Sequence, residues 1–187
     1  DDATILWRRL DVEGHDCCSL CRTAAGWEAE GVALFLHDGA PACLRYAFSC
    51  DAEWRTREAA ISGQAGGTAI DLRIDRSDAG AWRLNGVAQP VPPSLVDIDL
   101  GFTPATNILP IRRLGLAAGE ESPAPAAYLA FPELKLDLLE QSYRRLDARR
   151  YAYAAPRFGY EAVLTVSETG FVTSYPQLWE AAGALDG

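Results

Sequence analysis

Asp97 and Asp99 stand two residues apart in the run Val96-Asp97-Ile98-Asp99-Leu100. On an extended chain that spacing puts both carboxylates on one face, about 6–7 Å apart. Glycoside hydrolases hold an acid and its partner carboxylate at about this separation, and Glu161 is a further candidate for acid–base work on a glycan or an ester. The same alternation also describes the solvent face of an amphipathic strand, where both aspartates simply face water. The soft ligands cluster elsewhere. His15, Cys17, Cys18 and Cys21 fall within seven residues, and Cys18 and Cys21 have the Cys-x-x-Cys spacing of a zinc knuckle. No second knuckle matches it, because six residues separate Cys43 from Cys50. Five cysteines, an odd number, read as free thiols, and neither a metal nor a cofactor is expected.

The cationic and hydrogen-bonding candidates are spread along the chain. Arg55 and Arg57 would share one face of an extended segment, about 7 Å apart, and so fork a single anionic group. Arg112 and Arg113 follow a proline-broken apolar stretch. Asn107, Tyr151, Tyr153 and Tyr175 supply amide and phenol groups able to bond or stack on a sugar ring. Each arginine has a plainer alternative, a surface ion pair with the abundant carboxylates.

The elements that would position these residues show period two. Ile70, Leu72 and Ile74 alternate with Asp71, Arg73 and Asp75; Leu44, Tyr46 and Phe48 alternate around Arg45; Tyr160, Ala162, Leu164 and Val166 do so around Glu161 and Thr165. Asp38-Gly39 and Asn85-Gly86 are two-residue hairpin signals. Breaks recur about every ten residues, the rhythm of an antiparallel meander. Thr103-Pro104 is a helix start, and Pro110 keeps that helix short or kinked. Residues 176–182 suit a short closing helix, residues 117–127 and 89–93 read as loops, and residues 134–155 read as strands that place Tyr151 and Tyr153 on one face.

The 187 residues are 49% hydrophobic and 23% charged, enough to bury a core within a single domain. A net charge of −9 and a pI of 4.7 repel a phosphate backbone, so nucleic acid is not an expected partner. No apolar run reaches 18 residues, so no transmembrane helix is expected. The first residues carry no signal-peptide core, which points to a cytoplasmic location. Walker, dinucleotide, nucleophile-elbow and two-histidine metalloprotease motifs are missing; the one lysine, Lys135, follows a leucine.

Residues 99–114, Asp-Leu-Gly-Phe-Thr-Pro-Ala-Thr-Asn-Ile-Leu-Pro-Ile-Arg-Arg-Leu, form an unusual run. Together with Trp7-Arg8-Arg9-Leu10-Asp11, Trp54-Arg55-Thr56-Arg57 and Val172-Thr173-Ser174-Tyr175-Pro176 it resembles, in order and over nearly the whole chain, a bacterial family of glycolipid-binding proteins. The resemblance implies a mostly β fold: an antiparallel, strongly curved sheet forming a spiral β-roll or half-open barrel with one or two short helices. Such a fold is similar to the lipoprotein localisation factors. It further implies a binding protein rather than an enzyme, with an amphiphilic small molecule as partner.

In that picture the apolar tail lies in the concave face, among Trp7, Phe35, Phe48, Trp54, Phe102, Phe131 and Phe158, or these residues are simply core. Arg55, Arg57, Asp99, Asn107, Arg112, Arg113, Tyr151, Tyr153 and Tyr175 are then candidates for the polar rim that reads the head group. The segment 103–114 either contributes to that site or plugs the roll. Two alternatives stay open beside this reading: a hydrolase built on the paired carboxylates, and a protein-interaction module, with a homodimer as one form of it.

Overall fold

Alternation of apolar and polar residues drives the chain into strands, and strand pairs separated by tight turns zip into neighbours. In the computed structural model, which describes residues 2–186 and only the backbone of Asp186, the first eight strands make one continuous meander. They are β1 (Ala3–Arg9), β2 (Gly14–Thr23), β3 (Gly26–His37), β4 (Ala40–Cys50), β5 (Thr56–Ala65), β6 (Thr68–Arg76), β7 (Trp82–Leu84) and β8 (Val87–Ala88). Both hairpin signals form as expected. Asp38 and Gly39 adopt φ of 50° and 75°, and Asn85 and Gly86 adopt 48° and 77°, the left-handed pairs that two-residue hairpins need.

The chain then leaves the sheet. β9 (Asp97–Leu100), a 3-10 turn at Ala105–Asn107 and α1 (Ile108–Leu114) precede a short β10 (Glu121–Pro123), β11 (Ala126–Ala130) and β12 (Lys135–Leu139). The second half of the roll follows: β13 (Ser142–Arg145), β14 (Arg150–Ala155), a 3-10 turn at Pro156–Phe158, β15 (Tyr160–Val166), β16 (Val172–Tyr175) and β17 (Trp179–Asp186). β17 pairs with β1 from Ala3↔Asp186 to Arg9↔Trp179. The two meanders therefore join into one open, antiparallel, 14-stranded sheet with β10 and β8 at its edges.

β9, β11 and β12 form a separate three-stranded sheet, in which β9 and β11 run parallel. This small sheet and α1 occupy the hollow of the roll. Phe102 meets Tyr46 of β4 at 5.8 Å between ring centroids, while Asn107 donates to the hydroxyl of Tyr143 in β13 at 2.7 Å. The segment thus touches both halves of the sheet. Ala105, Ile108, Leu109 and Ile111 are buried there, each large apolar side chain contributing about 1.5–3 kcal/mol. Pro110 is the third residue of α1, where its missing N–H would have had no intrahelical acceptor.

Of the aromatic residues expected on the concave face, Trp7, Phe35, Phe48, Trp54 and Phe102 are buried and Phe131 packs against the same core. Trp7 also satisfies its indole by donating Nε1 to the Val172 carbonyl at 2.6 Å. Phe158 stands apart, 52% exposed.

Three expectations need correction. Residues 176–182 are not a helix: Leu178 N–H closes a turn on the Tyr175 carbonyl at 2.9 Å, and the chain returns as β17 because the gap between β16 and β1 needs a strand. Residues 117–127 are not all loop, since β10 pairs with β13; Pro123 is tolerated because β10 is an edge strand. Asp97 and Asp99 do not lie on a solvent face. The roll covers one side of β9 and its own second layer the other, so Asp97, Ile98 and Leu100 are all buried.

Candidate functional site

The alternation in β9 sends Asp97 and Asp99 the same way, and their surroundings differ. Asp97 is completely buried and takes both oxygens to Arg113 of α1, at 2.9 Å (Oδ1 to Nε) and 2.6 Å (Oδ2 to Nη2). Burial pushes its carboxyl up, and the Arg113 guanidinium pulls it back. Asp99 sits deep in the protein with partial exposure into a cleft. No hydrogen bond or ion pair reaches its carboxylate among the described residues. Burial first, and the neighbouring Asp97 charge second, push its carboxyl up to about 7.

The cleft over Asp99 has a volume of about 360 Å³. Its walls come from both sheets and from the two 3-10 turns. β11 lies beside β9 with Tyr128 opposite Asp99, and the Tyr128 ring covers the backbone of Gly101; a Cβ on Gly101 would meet that ring at 2.6 Å. This close approach is why a glycine follows Leu100. Tyr153 comes from β14, Tyr160 from β15, Tyr175 from β16 and Trp179 from β17.

Tyr153, Tyr160 and Tyr175 form a wall of tilted and edge-on contacts, with centroids 5.5–6.1 Å apart. Tyr153 donates to Gln141 Oε1 at 2.8 Å and Tyr160 to the Pro176 carbonyl at 2.6 Å. Burial raises the Tyr153 and Tyr175 phenols well above their ordinary range and pushes Tyr160 up to about 12, so all three stay protonated at neutral pH. Asn107 gives its Nδ2 to Tyr143, which leaves its Oδ1 as an acceptor.

Another buried carboxylate lies behind Thr103 of the cleft. Asp16 of β2 accepts from Tyr46 at 2.8 Å, and the Tyr46 hydroxyl accepts from Thr103, which lines the cleft, at 3.2 Å. Gly31 makes the link possible: a Cβ there would meet the Tyr46 ring at 2.2 Å. Burial pushes Asp16 up to about 7, against the pull of Thr103, Tyr46 and Arg9. Its Oδ2 has no hydrogen-bond partner among the described residues.

Of the nine residues named from the sequence, Asp99, Asn107, Tyr153 and Tyr175 converge on the cleft. The others lie elsewhere. Tyr151 is buried, with the Arg145 guanidinium 5.9 Å from its ring centroid. Arg55 precedes β5 rather than sharing a strand with Arg57, and it is held by Asp51 and Glu53. Arg57 is exposed on β5. Arg112 lies over the Trp54 ring at 5.2 Å, and Arg113 belongs to Asp97.

Sequence reasoning missed Tyr128, Tyr160 and Trp179 as neighbours of Asp99 in the cleft, because only the sheet register brings them there. Glu161 is exposed and lines a groove with Glu121, Arg144 and Val163, away from Asp97 and Asp99. Glu161 therefore does not share a site with Asp97 and Asp99. No group of three or more His, Cys, Asp or Glu converges as a metal site among the described residues, and all five cysteines are free thiols. Among the described residues, no helix is long and apolar enough to cross a membrane.

Fold and cleft together define a class: an open antiparallel β-roll, filled by its own strand–helix insert, with an aromatic cleft beside the insert. The family described as "Putative glycolipid-binding" matches residues 4–181, and the chain belongs to it. The crystal structure of a DUF1089 family protein from Pseudomonas aeruginosa is similar, with 33% identity, a TM-score of 0.78, and coverage of 88% of this chain and 91% of that one. No curated protein matches the chain.

Proposed function

We propose that the cleft over Asp99 binds the sugar head of a glycolipid, and that the apolar tail leaves through its mouth. One observation carries this reading: a carboxylate with no hydrogen-bond or ion-pair partner among the described residues stands among aromatic side chains and an amide acceptor in a cleft sized for one small group. Ligand sites usually span about 300–1,000 Å³, so about 360 Å³ suits a ring rather than a whole lipid. Tyrosine and tryptophan rings stack on the apolar faces of sugars, and carboxylate and amide oxygens accept their hydroxyls.

The head is not an anion. The neighbouring cations are committed elsewhere, Arg113 to Asp97 and Arg157 to Asp137, so a phosphate or carboxylate would meet Asp99 unopposed. The hollow of the roll is filled by Phe102, Ile108 and Leu109. The exposed Phe158 and the partly buried Leu178 at the cleft mouth offer the tail an apolar exit instead.

Titration calorimetry with short-chain alkyl glycosides, below their micellar concentrations, tests the reading. Saturable binding that a fatty acid of equal chain length does not compete away is the expected result. Equal binding of the fatty acid, or no binding of any alkyl glycoside, would sink it.

A further inference from the structure

We infer that the sugar head carries a basic nitrogen, a primary amine seated as an ammonium between Asp99 and the aromatic wall. The inference rests on the sugar-binding reading above and narrows it. A buried charge is ordinarily paired, and the protein pairs the other aspartate of β9 with two short bonds to Arg113. It supplies no cation to Asp99. Beside neutral hydroxyls the buried acid loses its charge only by taking up a proton, whereas an ammonium keeps it ionised by providing both the donors and the opposite charge.

The walls fit the same group. Ammonium ions are attracted to the faces of tyrosine and tryptophan rings within about 6 Å of the centroid, and Tyr128, Tyr153, Tyr160, Tyr175 and Trp179 all line the cleft. The protein already uses this contact at the cleft's edge, where the Arg157 guanidinium lies 5.6 Å from the Tyr128 ring centroid and 5.9 Å from that of Phe158. A primary ammonium has three N–H donors. Asp99 takes one, and the Oδ1 of Asn107, whose Nδ2 is spent on Tyr143, is an acceptor for another. A quaternary ammonium has no N–H to give and would leave both acceptors unmet.

Three octyl glycosides compared by calorimetry on the full chain test this: the glucoside, the 2-amino-2-deoxy glucoside and its N-acetyl form, which keeps the nitrogen and removes its charge. The amine should bind about tenfold tighter than either neutral form, the size of one charge-assisted contact. Asp99→Asn should remove that preference, and a thermal unfolding transition like that of the unsubstituted protein reports that the variant is folded.

Equal affinities in the unsubstituted protein, a preference for the N-acetyl form, or a preference that survives Asp99→Asn would each overturn the inference. The first two need no variant. If the neutral glycosides bind and the amine gains nothing, the sugar-binding reading stands and only the amine is lost. If no glycoside binds, both fail.

Discussion

The two aspartates of β9 share a strand, a face and a deep setting, yet one end of the strand is closed and the other is open. At Asp97 the helix returns an arginine that takes both carboxylate oxygens. At Asp99, two residues on, α1 offers nothing, and the opposite wall is built of tyrosines that bond to one another's neighbours rather than to the acid. Local sequence makes the two positions equivalent. What separates them is which element covers each one, and this teaches that a buried acid reads as structure where the fold completes it and as a binding group where the fold stops short.

That comparison can be broken from its closed end. Arg113→Ala would leave Asp97 buried and unpaired, a condition that costs about 3–5 kcal/mol, so chemical denaturation should show a loss of that size. A loss below about 1 kcal/mol would mean that water reaches Asp97 and that the two sites are alike. A smaller loss is expected behind the cleft wall. Tyr46→Phe removes the donor to Asp16 and the acceptor for Thr103, and an unmet buried group costs about 1–3 kcal/mol. Thermal unfolding at pH 5 and pH 8 should show the larger deficit at pH 8, where Asp16 is ionised.

The open end should respond with the opposite sign. Asp99 titrates near 3.9 when the chain is unfolded and at about 7 in the fold. Between those values the folded protein holds a proton that the unfolded chain has released. Stability therefore falls as pH rises from about 4 to about 7, and levels off above. Asp99→Asn removes that dependence and should stabilise the ligand-free protein at pH 8 by about 2 kcal/mol, the full shift being discounted for the carboxylate's access to solvent. No gain at pH 8 relative to pH 4.5 would show that Asp99 is not desolvated. The smallest effect is expected away from both sites. Arg55→Ala breaks exposed ion pairs with Asp51 and Glu53 and should leave the unfolding midpoint nearly unchanged without changing glycoside binding, whereas a clear loss of binding would move the head-group site.

Much of the roll was legible because period two is a local signal. The strand at residues 69–75 and the hairpins at Asp38-Gly39 and Asn85-Gly86 needed only neighbouring residues to be read, and they form as expected. β17 was not legible, since Glu180-Ala181-Ala182-Gly183-Ala184 carries little alternation and its strand character comes from β1 and β16 on either side. The solvent face assigned to Asp97 and Asp99 failed for a similar reason: alternation shows that a strand has two faces, but not that a second layer covers both.

The candidate cleft was half visible. Asp99, Asn107, Tyr153 and Tyr175 were named from their chemistry. Tyr128 and Trp179 reach the same place only through pairings such as Asp99↔Tyr128 and Arg9↔Trp179. The arginines were named for their spacing and their place after the proline-broken stretch, and the structure spends Arg55, Arg112 and Arg113 on local partners.

The pairing of β1 with β17 also bears on how the molecule comes into being. The middle of the sheet is a seam between strands nearly a whole chain apart. Contacts of such long sequence separation are slow to close, because their loop entropy is lost before any contact rewards it. During synthesis the first meander can zip as it emerges, but one backbone edge of β1 stays open until the last strand arrives. For that interval the growing chain presents the kind of unpaired edge on which strands of other chains add. Completion of the roll is therefore a late, cooperative event, and dilution or a chaperone that shields β1 should raise refolding yield more than any gain in the stability of the early strands.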